Sequence, residues 1–279
     1  MADFDIRIEE AKKKLNEAEA IVIGAGAGFS AASGLDYSGA EFKKEFADYI
    51  EKYEFPDLYT SSFHEFPTEA ERWTRWARHI DYISFRPRAK PLYLELLDLV
   101  KNKNYFIITT NVDDQFRKAG FDADRIFEVQ GDYGMMQCEV GCHPKLYSDK
   151  ETVRDILLHS QGFTVDSKYI PTCPVCGGNM DVHVRKNKYF VQDEAWEKAA
   201  TRYEEFMNRN IVRGNVVLLE LGIGFNTPTI IRYPFERIAY ENPRATLIRL
   251  NAEFPYGPAE TASRTIAFTE NLSKVIAQL

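Results

Sequence analysis

The sequence predicts an α/β protein built on a doubly wound parallel sheet. Short apolar runs that read as buried strands alternate with segments of helical periodicity, and the first such run empties into three closely spaced glycines. Two stretches, 40–90 and 133–190, break this alternation and read as insertions into the sheet protein.

Ile6, Ala11, Leu15 and Ala18 recur at near-helical spacing among charges, and Ala20-Ile21-Val22-Ile23 follows as a short buried strand. Pro91 to Val100 is leucine-rich and helical. Tyr105 to Thr110 is a strand, Asp114 to Ala119 a short helix and Arg125 to Val129 another strand. The pattern resumes with a helix over Asp193 to Asn208 and a strand at Val216 to Leu221. A helix beginning near Pro228, a strand at Thr246 to Leu250 and a closing helix near Glu270 to Ala277 complete it. Strands alternating with helices require a parallel sheet covered on both faces. One domain over 1–279 follows, its core formed by 1–39, 91–132 and 191–279, with 40–90 as a helical module and 133–190 as a module holding all four cysteines.

The 279 residues carry 35 Lys+Arg against 42 Asp+Glu, a net charge of -7 that disfavours nucleic acid or an acidic membrane as an electrostatically driven partner. No apolar stretch approaches the roughly 18 residues of a spanning helix, and Met1-Ala2-Asp3-Phe4-Asp5 lacks a basic region before an apolar one. The expected location is the cytoplasm, the expected partners small molecules or proteins, and the cysteines reduced thiols or metal ligands. Phe42, Phe46, Tyr49, Tyr53, Phe55, Trp73, Trp76 and Tyr82 read as the core of the helical module, part of which can still close over a ligand.

Cys138-x3-Cys142 and Cys173-x2-Cys176-Gly177-Gly178 form two knuckles suited to a tetrahedral structural zinc, so 133–190 is read as a small zinc-binding module. The first knuckle is one residue wide of the usual spacing, and the stretch between the knuckles exceeds the typical ribbon of about 15 to 20 residues. His143 and His159 are substitute ligands or surface histidines.

A strand running into Gly24, Gly26 and Gly28 lets backbone approach a pyrophosphate, with the next helix offering unpaired N–H groups to the anion; a tight strand-to-helix turn is the other reading. Phe29 stands where a third glycine of G-x-G-x-x-G belongs, and no acidic residue ends a second strand about 20 residues on, so an ordinary nicotinamide dehydrogenase is disfavoured. In Asn111-Val112-Asp113 the polar side chains share one side just past a strand, at the edge where open α/β sheets bind ligands, although such residues also form turns and caps.

Taken together, Gly24 to Tyr37, Thr109-Thr110-Asn111-Val112-Asp113-Asp114 and Phe127-Glu128-Val129-Gln130-Gly131 resemble the sirtuins, NAD-consuming enzymes with a Gly-Ala-Gly-x-Ser loop, a Thr-x-Asn-hydrophobic-Asp loop and a His-Gly pair. Gly222-Ile223-Gly224-Phe225-Asn226-Thr227 stands where sirtuins place Gly-Thr-Ser, and Leu250-Asn251-Ala252-Glu253 matches their Asn-x-Glu. The resemblance implies a Rossmann-like core. It further implies that NAD is held by Ala25, Gly26, Ala27, Gly28, Ser30, Ser33, Asp36 and Tyr37, with Gly222, Ile223, Gly224, Asn226, Asn251 and Glu253 on the adenosine side. Asn111 would orient the nicotinamide ribose and a water, Asp113 the nicotinamide carboxamide, and Cys138, Cys142, Cys173 and Cys176 a structural zinc.

Two departures matter. Asp36-Tyr37-Ser38 replaces the sirtuin Pro-Asp-Phe-Arg, and Gln130 replaces the histidine of the His-Gly pair. Imidazole exchanges a proton near neutral pH and a carboxamide does not, so histidine-driven deacylation has lost its general base. Both departures resemble the macrodomain-linked class M sirtuins. That likeness implies ADP-ribosylation of a protein acceptor, notably a lipoylated glycine-cleavage-H-like carrier, and a functional link to a macrodomain hydrolase. The alternatives are a residual NAD-dependent deacylase or NAD hydrolase, and a non-catalytic NAD or ADP-ribose sensor. Sirtuins clamp peptides with a strand after Phe-Gly-Glu; the corresponding region here is Tyr189-Phe190-Val191-Gln192-Asp193-Glu194.

Overall fold

A computed structural model describes residues 3–211 and 214–279. The main sheet contains β1 (Ala20–Ala25), β2 (Tyr105–Thr109) and β3 (Ile126–Glu128), and a smaller sheet contains β4 (Gly131–Cys138), β5 (Tyr147–Ser148) and β6 (Met180–Val184). The main sheet is completed by β7 (Val216–Leu221), β8 (Ala245–Leu250) and β9 (Thr265–Phe268), giving the order β3-β2-β1-β7-β8-β9 with every neighbouring pair parallel.

Chain order runs outward from β1 in one direction and from β7 in the other, so the topological switch lies between these two strands. A crevice opens there at the carboxyl ends, where Ala25 is in register with Leu221. Both strands are buried throughout, as expected of central strands covered on both faces. Alternate side chains divide between the two layers. Ile21, Ile23 and Ala25 pack with Leu92, Leu96 and Phe116, whereas Ala20 and Val22 pack with Phe106, Leu218 and Phe235.

The predicted helices have local causes. Asp3 caps Phe4–Glu17 by accepting from Asp5 N, and Pro91 begins Pro91–Val100 where its missing N–H costs nothing. Thr227 and Pro228 carbonyls accept from Ile230 and Tyr233, so the expected helix begins only at Arg232. The edge strand β9 is too short to announce itself by periodicity. Arg7 donates to Ala267 O at 2.8 Å and pairs with Glu270 at 2.6 Å, blocking an open edge.

The helices of 40–90 end in Glu69–Ile80 followed by a single π-helical turn, Asp81–Phe85. Phe42, Phe46, Tyr49, Phe55, Trp73 and Trp76 are core, and they share that core with Cys138, Val153, Ile156 and Val182. The helical and cysteine-bearing stretches thus pack against each other on one side of the main sheet protein. The antiparallel sheet β5-β4-β6 begins two residues after β3, which fixes the cysteine-bearing sheet to the site. Among the described residues no helix is long and apolar enough to cross a membrane.

Candidate functional site

Two loops interlock at the switch point. Gly28 N donates to Gly222 O at 3.0 Å, and a Cβ on Gly222 would fall 2.4 Å from Phe29 N. Gly222 also has φ +62, so both its conformation and its surroundings demand glycine. These glycines close the turn after β1 on the turn after β7. Ala27 and Gly28 keep an exposed outer face at the start of the short helix Ala27–Ala32.

That helix directs Ser30 inward, where its hydroxyl donates to Asp113 Oδ2 and lies 3.1 Å from the Tyr93 hydroxyl. Asp113 Oδ1 accepts from Gln115 N at 3.1 Å, and burial raises the carboxyl above its ordinary pKa against the pull of Ser30 and Gln115. Asn111 Nδ2 donates to Gly26 O at 3.0 Å, its backbone N donates to Thr109 Oγ1, and the Thr109 hydroxyl donates to Ala25 O at 3.0 Å. Tyr93 also packs edge-on against Phe29 at 4.6 Å, which fixes its hydroxyl beside Ser30. Ser30, Asn111 and Asp113, separated by up to 83 positions in sequence, therefore form one buried polar cluster.

Gln130 follows β3 and its backbone carbonyl accepts from Arg185 N at 2.9 Å. Its side-chain Oε1 is buried without a protein partner among the described residues. Gly131 has φ +102, and a Cβ there would meet His183 O at 2.0 Å, so only glycine lets β4 leave in this direction. Below this loop Arg117 pairs with Glu128, whose carboxyl burial raises to about 8 despite that partner.

Other residues anticipated from sequence hold the walls of the crevice. The Asp36 carboxylate accepts from the backbone of Ser38, Gly39, Glu41 and Phe42; burial pulls its pKa upward, but these bonds hold it below the ordinary range. Ser33 Oγ donates to Ser30 O at 2.6 Å. Tyr37 packs edge-on against His79, and burial, then the nearby Tyr133 and Asp113, raise its pKa well above normal. Asn251 Nδ2 donates to Ile223 O at 2.7 Å while its Oδ1 accepts from Glu253 and Phe254 N, tying the turns after β7 and β8 together. Gly224, Asn226 and Glu253 stay exposed, and Phe225 packs edge-on against Phe254 at 4.9 Å. Tyr93 and Gln115 were not singled out in the sequence; a tyrosine on the inner face of a leucine-rich helix was their one visible signal.

The four cysteine sulfurs lie within 4.8 Å of one another, with Cys138–Cys176 at 3.7 Å and Cys142–Cys173 at 3.6 Å. Those separations are far too long for a disulfide and match the edge of about 3.8 Å expected for a tetrahedron with Zn–S bonds near 2.3 Å. The donor set fits a structural zinc. His143 lies beside Cys142 Sγ and contacts the Tyr147 hydroxyl at 2.9 Å, outside the four-sulfur set, and His159 stacks on Tyr169.

The region spanning the crevice decides the family, because residues 26–219 match the model of the Sir2 family. The chain belongs to the Sir2 family. Within it, the protein resembles a protein ADP-ribosyltransferase of Staphylococcus aureus (strain Mu50), 35% identical over 269 residues, which cover 96% of this chain and 85% of that one. A probable bifunctional ADP-ribose hydrolase/ADP-ribosyltransferase of Fusarium oxysporum f. sp. cubense is 31% identical over 250 residues, covering 86% of this chain and 41% of that longer one. Two solved structures share the fold. Sir2Tm bound to a propionylated peptide has a TM-score of 0.58 at 15% identity, covering 97% of this chain and 96% of that one. A complex of a Sir2 homolog with NAD has a TM-score of 0.56 at 14% identity, covering 96% and 90%.

Proposed function

We propose that this sirtuin is an NAD-dependent protein ADP-ribosyltransferase that releases nicotinamide and transfers ADP-ribose to a protein acceptor. The observation that carries the reading is Gln130 where sirtuins have histidine, in a site whose Ser30–Asp113 and Asn111–Gly26 contacts are otherwise built. As a substrate, NAD supplies an activated glycosidic bond between C1' of the ribose and the nicotinamide nitrogen.

Asp113, oriented by Ser30 and Gln115, would hold the carboxamide, and Asn111, oriented by Gly26, would position the ribose. Cleavage through an oxocarbenium-like transition state is helped by fixed dipoles and exclusion of water, and needs no strong base. Gln130 would hydrogen-bond the ribose hydroxyls through its amide, and the buried, unpartnered Oε1 suits that task. An amide cannot take a hydroxyl proton in this pH range, so the deacylation step lacks its base.

His183, whose Nδ1 is buried without a partner among the described residues, is assigned a packing role rather than that of the missing imidazole. It lies beside the Gly131 turn, but its Nε2 donates to Val191 O at 2.9 Å and its ring stacks on Phe190 with centroids 4.5 Å apart. Burial is the first of the influences on its pKa and lowers it. It serves to hold the 189–191 segment, together with Gln137, which bonds both Tyr189 O and Val191 N.

The finer reading is that the acceptor is a lipoylated carrier of the glycine-cleavage-H kind and that a macrodomain hydrolase reverses the modification. Support for the second part comes from the Fusarium relative, whose name joins an ADP-ribose hydrolase to an ADP-ribosyltransferase. The test is labelled NAD incubated with lipoylated and unlipoylated carrier, followed by mass analysis. Label on the lipoylated carrier alone supports the full reading, label on both removes the lipoyl requirement, and free ADP-ribose with no labelled protein replaces the transferase by an NAD hydrolase.

A further inference from the structure

The helical module contains a buried cation with no counter-charge. Arg75, on Glu69–Ile80, is 1% exposed and forms no ion pair among the described residues. Its Nη2 donates to Leu58 O at 2.8 Å and contacts the Ser61 and Ser62 hydroxyls, while its Nε and Nη1 have no partner among the described residues. Trp76 covers one face of the guanidinium at 4.3 Å, which leaves these in-plane N–H groups unanswered.

The surroundings are short of acceptors. Leu58 O already receives the Ser61 hydroxyl at 2.8 Å and the Ser62 hydroxyl at 2.9 Å as well as Arg75, more donors than its two lone pairs accommodate well. Both His79 ring nitrogens are also buried and unpartnered among the described residues, and His79 stands four positions after Arg75, on the same face of the helix Glu69–Ile80. His79 is held neutral, first by burial and then by Arg75 itself, so one ring nitrogen carries a donor. Water can satisfy hydrogen bonds in such a place, but it brings no compensating charge, and an uncompensated buried ion is far more costly than an orphan amide.

We propose that Arg75, with His79 one turn along the same helix, forms a buried site for a small monovalent anion of halide size. The size follows from enclosure: Arg75, Trp76 and His79 are each at most 2% exposed, which leaves no path for the carboxylate of a larger ligand. Burial lowers the guanidinium pKa to about 9, still protonated at neutral pH, so the charge persists and calls for a counter-ion. Tyr133 and Tyr37 both pack on His79, with ring centroids 4.7 and 6.1 Å away, which connects the site to the crevice wall. An anion held at His79 would steady these two phenol rings beside the crevice.

Crystals of the full chain grown in sodium bromide are expected to show an anomalous peak within hydrogen-bond distance of Arg75 Nε or Nη1. In solution, the wild-type melting temperature should rise saturably with chloride at constant ionic strength set by gluconate, an anion too large for the site, as binding to the folded state alone requires. Arg75→Met should abolish that saturable part. Absence of the bromide peak overturns the proposal, as does an Arg75→Met protein that keeps the wild-type chloride response. Should Arg75→Met fail to fold, the bromide experiment on wild-type protein decides the matter alone. Neither readout depends on transferase activity.

Discussion

Ser30 donates its hydroxyl proton to the Asp113 carboxylate, and this bond joins the glycine turn after β1 to the loop after β2. Without it Asp113 would keep one backbone donor, from Gln115, in a site where burial already disfavours its charge. Ser30→Ala should therefore lower kcat/KM for NAD by about tenfold, or ~1.4 kcal/mol, with the melting temperature little changed. Steady-state nicotinamide release measures the first and thermal denaturation the second; wild-type kcat/KM in this variant contradicts the assignment of Asp113.

Asn111→Ala is expected to abolish nicotinamide release while leaving NAD binding measurable by calorimetry, because the amide acts mainly by positioning in the transition state. Its Nδ2 bond to Gly26 O ties it to backbone, so its orientation is set before NAD arrives. Turnover at the wild-type rate would place the centre elsewhere.

The four-cysteine cluster predicts one zinc per chain. Elemental analysis of untagged protein should find it, and Cys173→Ser should lower the melting temperature because metal binding is coupled to folding. Metal-free protein with four freely titrating thiols is the adverse outcome.

Asp149 gives the clearest pH dependence. It is fully buried, neither carboxylate oxygen has a partner among the described residues, and burial, then Asp132, raises its pKa from 3.8 to about 8. Between those values the folded protein retains a proton that the unfolded chain releases, so this group lowers stability as pH rises toward 8. Asp149→Asn should match wild type near pH 4 and exceed it by on the order of 1 kcal/mol or more at pH 8. Glu128 titrates in the same window but is common to both proteins and drops out of the difference. Denaturant melts at the two pH values measure it, and a stability difference independent of pH contradicts the assignment.

Arg249 on β8 faces Glu220 on β7 across a register pair, at 2.7 Å, and also meets Glu236 at 2.8 Å. Breaking a buried pair strands a charge, so Arg249→Met should cost about 3 to 5 kcal/mol. Replacing Glu220 by Leu in the same protein should recover much of that loss in urea denaturation. A single variant as stable as wild type would show that the pair is not coupled to folding.

How legible these features were in the sequence follows from their physics. Apolar runs such as Ile21-Val22-Ile23 announce central strands because both of their faces are buried, whereas β9, an edge strand of four residues, carries no comparable pattern. The motifs around Ser30, Asn111 and Asp113 pointed to one site because strand ends in a doubly wound sheet share an edge. Side-chain direction was not legible. Asp36 spends its carboxylate on four backbone N–H groups and Asn251 spends its amide joining two loops, and neither fact can be read from residue type. Glu220, inside Val-Val-Leu-Leu-Glu-Leu, gave no sign of its arginine partners because the pairing is made across strands and a helix.

The central claim is that Gln130 leaves a transferase site without a titrating base. The most direct measurement is a product assay of the wild-type enzyme with NAD and an acetyl-lysine peptide, run beside an ADP-ribose acceptor protein and the Gln130→Ala variant. The account predicts labelled acceptor with little deacetylated peptide for wild type, and impaired labelling for Gln130→Ala through loss of hydrogen bonds to the ribose. Robust deacetylation by the wild-type enzyme, with O-acetyl-ADP-ribose as product, would contradict it, because another group would then be doing the work of the missing imidazole.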